Sequence, residues 1–202
     1  MHLLQQYLMK RIVIFASGNG TNAQRIINHF KGRTDAQVVL VLSNKKDAKV
    51  LQRATTSNIS ALSFNKISFY KTPHILDLLQ TTKPDLIVLA GFLWLFPEEI
   101  IKKFPNKIIN LHPALLPDFG GKGMYGRYVH EAVHAFAKAN PEQKTYTGIT
   151  IHKVTPEYDK GEFLFQAKVE VTTTDTPEMI AKKVHELEYE HFPKVIEKLL
   201  GE

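Results

Sequence analysis

The sequence predicts an α/β protein: a doubly wound, mostly parallel sheet with an antiparallel strand pair added towards its carboxyl end. Three observations carry that expectation. Up to residue 112, short apolar runs of strand length alternate with stretches of helical spacing. The runs are apolar along their whole length, as strands covered on both faces are. Beyond residue 140, two longer runs with rough period-two alternation flank one turn, the pattern of an antiparallel pair.

The elements follow in order. RIVIFAS (11–17) is the first strand, and TNAQRIINHFK (21–31) a helix with apolar residues at Ile26, Ile27 and Phe30. AQVVLVLS (36–43) is a second buried strand, followed by a helix in KDAKVLQRATTS (46–57) and a short strand in ISALSF (59–64). KTPHILDLLQTT (71–82) reads as a helix with Pro73 in its first turn, where a missing N–H is tolerated. DLIVLAGF (85–92) and KIINLH (107–112) are the fourth and fifth parallel strands, with a helix in PEEIIKKF (97–104) between them. YGRYVHEAVHAFAKA (125–139) is one helix, and TYTGITIHKV (145–154) and EFLFQAKVEV (162–171) are the antiparallel pair around TPEYDKG. The closing helix starts with Thr176 as cap, Pro177 as first helical residue and Glu178 after it.

A chain of 202 residues suits one domain, 1–202, with core enough to fold without staples. It has no cysteine, which removes disulfides, thiol nucleophiles and cysteine metal sites together. No apolar run approaches a membrane span, and MHLLQQYLMKR lacks the order of a signal peptide, so a cytoplasmic location is the expectation. The net charge is +6 and the isoelectric point about 9.3. The basic residues are spread thinly with acids close by, unlike the one-faced stripe of a nucleic-acid binder. A small phosphorylated or carboxylated ligand fits that charge better.

Three constellations could carry chemistry. In ASGNGTN (16–22), Gly18 and Gly20 relieve steric restriction between the first strand and first helix, so that backbone N–H groups can converge on an anion. Thr21 and Asn22 add side-chain donors. Neither GK[ST] nor a third glycine follows, so this is not a P-loop or GxGxxG. A tight turn capped by Thr21 is the plain alternative. In AGFLWLFPEE (90–99), Leu93, Trp94, Leu95 and Phe96 are either core or the wall of a pocket whose backbone groups bond a flat heterocycle.

The third is INLHPALLP (109–117), which leaves the fifth strand at its carboxyl end, where such sheets bind ligands. Asn110 and His112 share parity, so both can point the same way. An amide donor beside an imidazole suits a carbonyl oxygen that becomes negative in a transition state. Pro113 and Pro117 would stiffen the loop. The alternative is a histidine bonded to backbone at a strand end. Asp159, in the hairpin turn, is the best-placed acid to orient His112 and favour its imidazolium, although an Asp before Lys-Gly also suits plain turn chemistry. His130 and His134 lie i,i+4 on one helix without the glutamate of HExxH, so no metal is expected there. His185 and His191 read as surface or core polar groups.

Taken in order and spacing, SGNGTN, LAGFLWLF, INLHPALLP and TGITIHKVTPEYDKG resemble the phosphoribosylglycinamide formyltransferases over about residues 10 to 200. The Asn-x-His-Pro-x-Leu-Leu-Pro segment marks the wider formyltransferase group, and SGNGTN narrows it to the glycinamide branch. The resemblance implies a Rossmann-like sheet of the kind read above, and transfer of a formyl group from 10-formyltetrahydrofolate to glycinamide ribonucleotide. It implies that Asn110, His112 and Asp159 are catalytic, and that Gly20, Thr21 and Asn22 bind the substrate's phosphate end. It further implies that Glu188 helps hold the glycinamide, and that Leu93–Phe96, with Asn110, contact the folate. Its partners would be those two small molecules, with no metal, nucleic acid or membrane, in a monomer or homodimer. GGKGMYGR (120–127) and AKANPEQKTY (137–146) depart from the best-known bacterial pattern, and no residue is assigned to a folate-contacting arginine that some relatives use near Ser68 and Lys71. Residues 1–8 precede the usual start; a disordered extension is expected there, with Met9 as candidate initiator.

Direct acyl transfer without a covalent enzyme intermediate fits a chain with no cysteine and no GxSxG. Methionyl-tRNA formyltransferase shares HP-x-LLP but would need a further carboxyl-terminal domain, and a formyltetrahydrofolate hydrolase an amino-terminal one; the sequence is expected to hold neither. A non-catalytic nucleotide-binding module would need SGNGTN alone, and not Asn110, His112 and Asp159 together.

Overall fold

The computed structural model describes residues 9–201, so the extension expected at 1–8 lies outside the described residues. The strands are β1 (Lys10–Phe15), β2 (Ala36–Ser43), β3 (Ser60–Ser63), β4 (Leu86–Leu89), β5 (Ile108–His112), β6 (Thr145–Lys153) and β7 (Phe163–Val171). The helices are α1 (Thr21–Phe30), α2 (Lys49–Thr56), α3 (Lys66–Tyr70), α4 (His74–Thr82), α5 (Glu98–Lys103), α6 (Arg127–Ala139) and α7 (Pro177–Gly201). The described strands form one sheet in the order β3-β2-β1-β4-β5-β6-β7. Pairing is parallel from β3 through β5 and antiparallel for β5–β6 and β6–β7. The doubly wound sheet with an added antiparallel pair is the predicted architecture.

Parity along each strand explains the two layers. Ile12 and Ile14 face one side, packing with Ile26, Val129 and Phe192 under α1, α6 and α7. Val13 and Phe15 face the other, with Leu79, Phe92, Phe96 and Ile100 under α4 and α5. Phe15 is fully buried and meets Phe96 and Phe92 edge-on at centroid distances of 5.1 and 5.4 Å. These T-shaped contacts put the positive ring edge against a negative face, adding to the burial itself.

Three local readings need correction. Thr21 does not cap α1: the cap is Gly20, in a left-handed conformation at φ 70°, and Thr21 is the first helical residue. Pro73 sits at the cap of α4 and not in its first turn. The sequence reading also passed over α3, five residues closed by a reciprocal cap between Asn65 and Ser68. A helix that short offers too few turns for apolar periodicity to register. Thr176 does cap α7, accepting from the Met179 N–H at 3.3 Å.

The topology itself makes a cleft. From β1 the chain winds outward to β2 and β3, then returns to place β4 on the other side of β1. Loops leaving β1 and β4 therefore diverge at the carboxyl ends of the strands, the place where such sheets bind ligands.

Candidate active site

A cavity of about 700 Å³ opens at that switch point, lined by residues 17–22, 89–96 and 110–113 together with the 154–159 turn. The loop after β1 forms one end. A Cβ at Gly20 would run into the Val50 side chain, so both conformation and space demand glycine there. Gly18 has open space around it. No side chain caps α1, and its first turn holds no acid. That leaves the helix N-terminus suited to an outside anion.

Ser17 joins this loop to the next. Its backbone N–H donates to the Gly91 carbonyl and its hydroxyl accepts from the Leu93 N–H, both at 3.0 Å. Beyond it the four large residues divide. Phe96 is core, 2% exposed, while Leu93 and Leu95 are 38% and 36% exposed and Trp94 is half-buried. The segment is therefore wall more than core. Its backbone is not wholly free for a ligand, because the Tyr70 hydroxyl donates to the Leu95 carbonyl at 2.8 Å.

The catalytic candidates meet at the centre. β5 pairs antiparallel with β6, placing Asn110 opposite His152 and His112 opposite Thr150. His152 Nδ1 donates to its neighbour's carbonyl, Lys153 O, at 2.8 Å, so neutral His152 presents a bare Nε2. The Asn110 amide nitrogen donates to that Nε2 at 3.1 Å. The Thr150 hydroxyl donates to the Ala114 carbonyl at 2.7 Å and accepts from the Leu116 N–H at 2.9 Å. Strand β6 thus fastens the Pro113–Pro117 loop.

Asp159 comes to the same place from the hairpin turn. It lies 3.5 Å from His112 Nδ1 and 3.5 Å from His152 Nε2, and accepts from the Gly121 N–H at 2.8 Å. The Nε2 of His112 donates to the Phe119 carbonyl at 2.9 Å. Burial alone would raise the Asp159 carboxyl, but the proton that His152 or His112 can carry beside it, with the Gly121 N–H, outweighs burial and holds the group below its ordinary value. His112 departs from expectation. Burial lowers its pKa and wins over Asp159 and the Phe119 carbonyl, so the imidazole is held towards its neutral form and not its imidazolium. At 3.5 Å the carboxylate is too far for a good hydrogen bond, and its attraction falls short of the desolvation penalty.

Glu188 on α7 is 5% exposed and accepts from the Asn22 amide at 2.8 Å. Burial raises its pKa against the opposing pull of Asn22 and His185. Gly20, Thr21, Asn22, Leu93–Phe96, Asn110, His112, Asp159 and Glu188 therefore all border one cavity.

Sequence reasoning missed His152, because its role depends on which strand lies beside β5. Its parity with Thr150 was visible; its partner was not. It also left GGKGMYGR without a role, whereas Gly121, Met124 and Tyr125 line the cavity, and it read His185, another lining residue, as a plain polar group. Among the described residues no cluster of three or more His, Asp or Glu is placed to hold a metal, and no helix is long and apolar enough to cross a membrane.

Comparison with known proteins agrees with this fold. Residues 10–196 match the formyl transferase family. The chain is 38% identical over 193 residues to the chloroplastic phosphoribosylglycinamide formyltransferase of Arabidopsis thaliana, covering 93% of this chain but 64% of that protein. It is 35% identical over 200 residues to phosphoribosylglycinamide formyltransferase of Bacillus subtilis, covering 96% of each. The crystal structure of the enzyme of that name from Brucella melitensis superposes with a TM-score of 0.81 at 34% identity, covering 96% of this chain and 97% of that one.

Proposed function

This chain belongs to the formyl transferase family, and from that premise we propose that it acts as a phosphoribosylglycinamide formyltransferase in purine biosynthesis. It moves the formyl group of 10-formyltetrahydrofolate to the terminal amine of glycinamide ribonucleotide. The observation that carries this reading is the meeting of Asn110, His112 and Asp159 with the SGNGTN loop in one cavity.

The walls fit both ligands. Leu93, Trp94 and Leu95 offer apolar surface to a flat ring, and the uncapped α1 N-terminus offers N–H groups to a phosphate. The bound folate supplies an electrophilic formyl carbon on its N10. Asn110 has two amide N–H groups; His152 takes one, and the other is available to the formyl oxygen as negative charge develops on it. His112, held near neutral, can accept the proton that the attacking amine sheds and return it to the departing folate nitrogen. That transfer requires the ring proton to move to Nδ1, beside the Asp159 carboxylate, so that Nε2 gives up the Phe119 carbonyl, is left bare and can take the proton.

The test mixes the protein with glycinamide ribonucleotide and 10-formyltetrahydrofolate and follows formylglycinamide ribonucleotide by mass spectrometry. Product that depends on both substrates is expected. Release of formate at the same rate with or without the amine would make water the acceptor and overturn the reading.

A further inference from the structure

His130 on α6 is 4% exposed, yet it borders the catalytic cavity. No described residue hydrogen-bonds its ring, and Nδ1 is sealed from solvent with no partner. A neutral imidazole carries one N–H and one bare nitrogen. A sealed N–H without an acceptor is rare, whereas an unfilled lone pair is tolerated more often. The proton therefore belongs on Nε2. Burial, with His185 and His112 nearby, pushes the pKa down to about 4, so the ring is neutral near pH 7.

The neighbours define what this N–H can meet. At one end of the wall Asn22 bonds Glu188, and Asn22 Oδ1 is a second buried polar atom without a partner. His185 follows, its ring edge-on to His130 at a centroid distance of 6.3 Å. At the other end stand Asn110 and His112. With Nδ1 sealed, Nε2 is the nitrogen of His130 left to the cavity, on a wall between an anion loop and a reaction centre, where a bound molecule would give its N–H an acceptor.

We propose that His130 is a substrate-binding residue whose Nε2–H donates to a neutral oxygen in the ribose–amide middle of the amine substrate. This rests on the function proposed above, and it assigns a contact between the phosphate end and the reacting amine. The partner is a ribose hydroxyl or the amide carbonyl, which share acceptor chemistry.

The first experiment compares steady-state kinetics of wild type, His130→Phe and His130→Gln with each substrate varied in turn. His130→Phe should raise KM for glycinamide ribonucleotide about tenfold, the scale of a lost buried hydrogen bond, with the folate KM within about twofold. His130→Gln, which keeps an N–H donor, should recover most of the loss. On 2′- and 3′-deoxyribose analogues, a penalty that vanishes names that hydroxyl as partner, and one that persists on both names the carbonyl. Equal rises for both substrates, or no rise in either, would overturn the proposal.

Because His130→Phe could disturb α6, a second measurement uses wild-type protein. Histidine ¹⁵N spectra should show His130 protonated on Nε2, with that resonance shifted by glycinamide ribonucleotide and not by folate alone. A resonance indifferent to saturating ribonucleotide would sink the idea. Absence of formyl transfer by the wild type would instead sink the function reading, so the two failures are distinguishable.

Discussion

The Asn110 amide nitrogen lies 3.1 Å from Nε2 of His152, its direct partner across the β5–β6 ladder. This bond fixes which way the amide faces. His152→Leu should leave the fold intact but let the amide turn, lowering turnover about tenfold, less than the roughly 10²–10³ expected for losing the donor itself. In an Asn110→Ala background the same change should cost little. Independent, multiplying losses would show that His152 acts by another route.

The loop after β1 makes a sharp contrast between two glycines. Gly18→Ala adds a methyl group to open space and should melt like wild type. If that space receives the phosphate, KM for the ribonucleotide rises and that for folate does not. Gly20→Ala meets Val50 and forces a left-handed residue, so it should lose roughly 2 kcal/mol or more of stability. Melting curves and paired KM values separate the two effects. Equal KM changes for both ligands in Gly18→Ala would reduce the loop to a support.

Asp159 should act through His112. His112→Ala is expected to lower turnover by about 10² or more, with a modest loss in melting temperature from the stranded Phe119 carbonyl. Asp159→Asn preserves the shape of the turn while removing its charge, and should also cut turnover sharply. With His112 already gone, the second change should add little, because groups acting as a unit give non-additive losses. A double-mutant cycle on turnover decides between coupling and independence.

Acid should weaken the fold through His130. Its folded pKa, about 4, lies below the ordinary value of 6.5. The unfolded chain then binds the proton first as pH falls, so stability is full above about 6.5 and is lost between 6.5 and 4. The loss attributable to this group is on the order of 3 kcal/mol. Denaturant unfolding across that range should show the decline, and His130→Gln should flatten it. An unchanged slope in the variant would refute the assignment.

Much of this was legible in the chain because parallel strands buried on both faces announce themselves as apolar runs, as in AQVVLVLS, which is strand from end to end. Part of the cavity lining was legible where it sits beside a strand end, as at Asn110 and His112. What stayed hidden depended on pairing across distance. His152 acquires meaning only when β6 is known to lie against β5. The protonation of His112 depends on a contest between burial and a carboxylate 3.5 Å away, and one-dimensional spacing does not carry that balance.

The bond between Asn22 and Glu188 joins positions 166 residues apart. At roughly 5–20 residues per second, a ribosome needs on the order of ten to thirty seconds to make the chain between them. Throughout that interval the loop after β1 exists without the carboxyl that its Asn22 bonds. If binding of the proposed ribonucleotide needs both halves of that bond, its stabilising effect reaches only a nearly finished polypeptide. A stalled nascent chain ending before Glu188 should gain no protease resistance from glycinamide ribonucleotide, while one that has extruded the whole of α7 should.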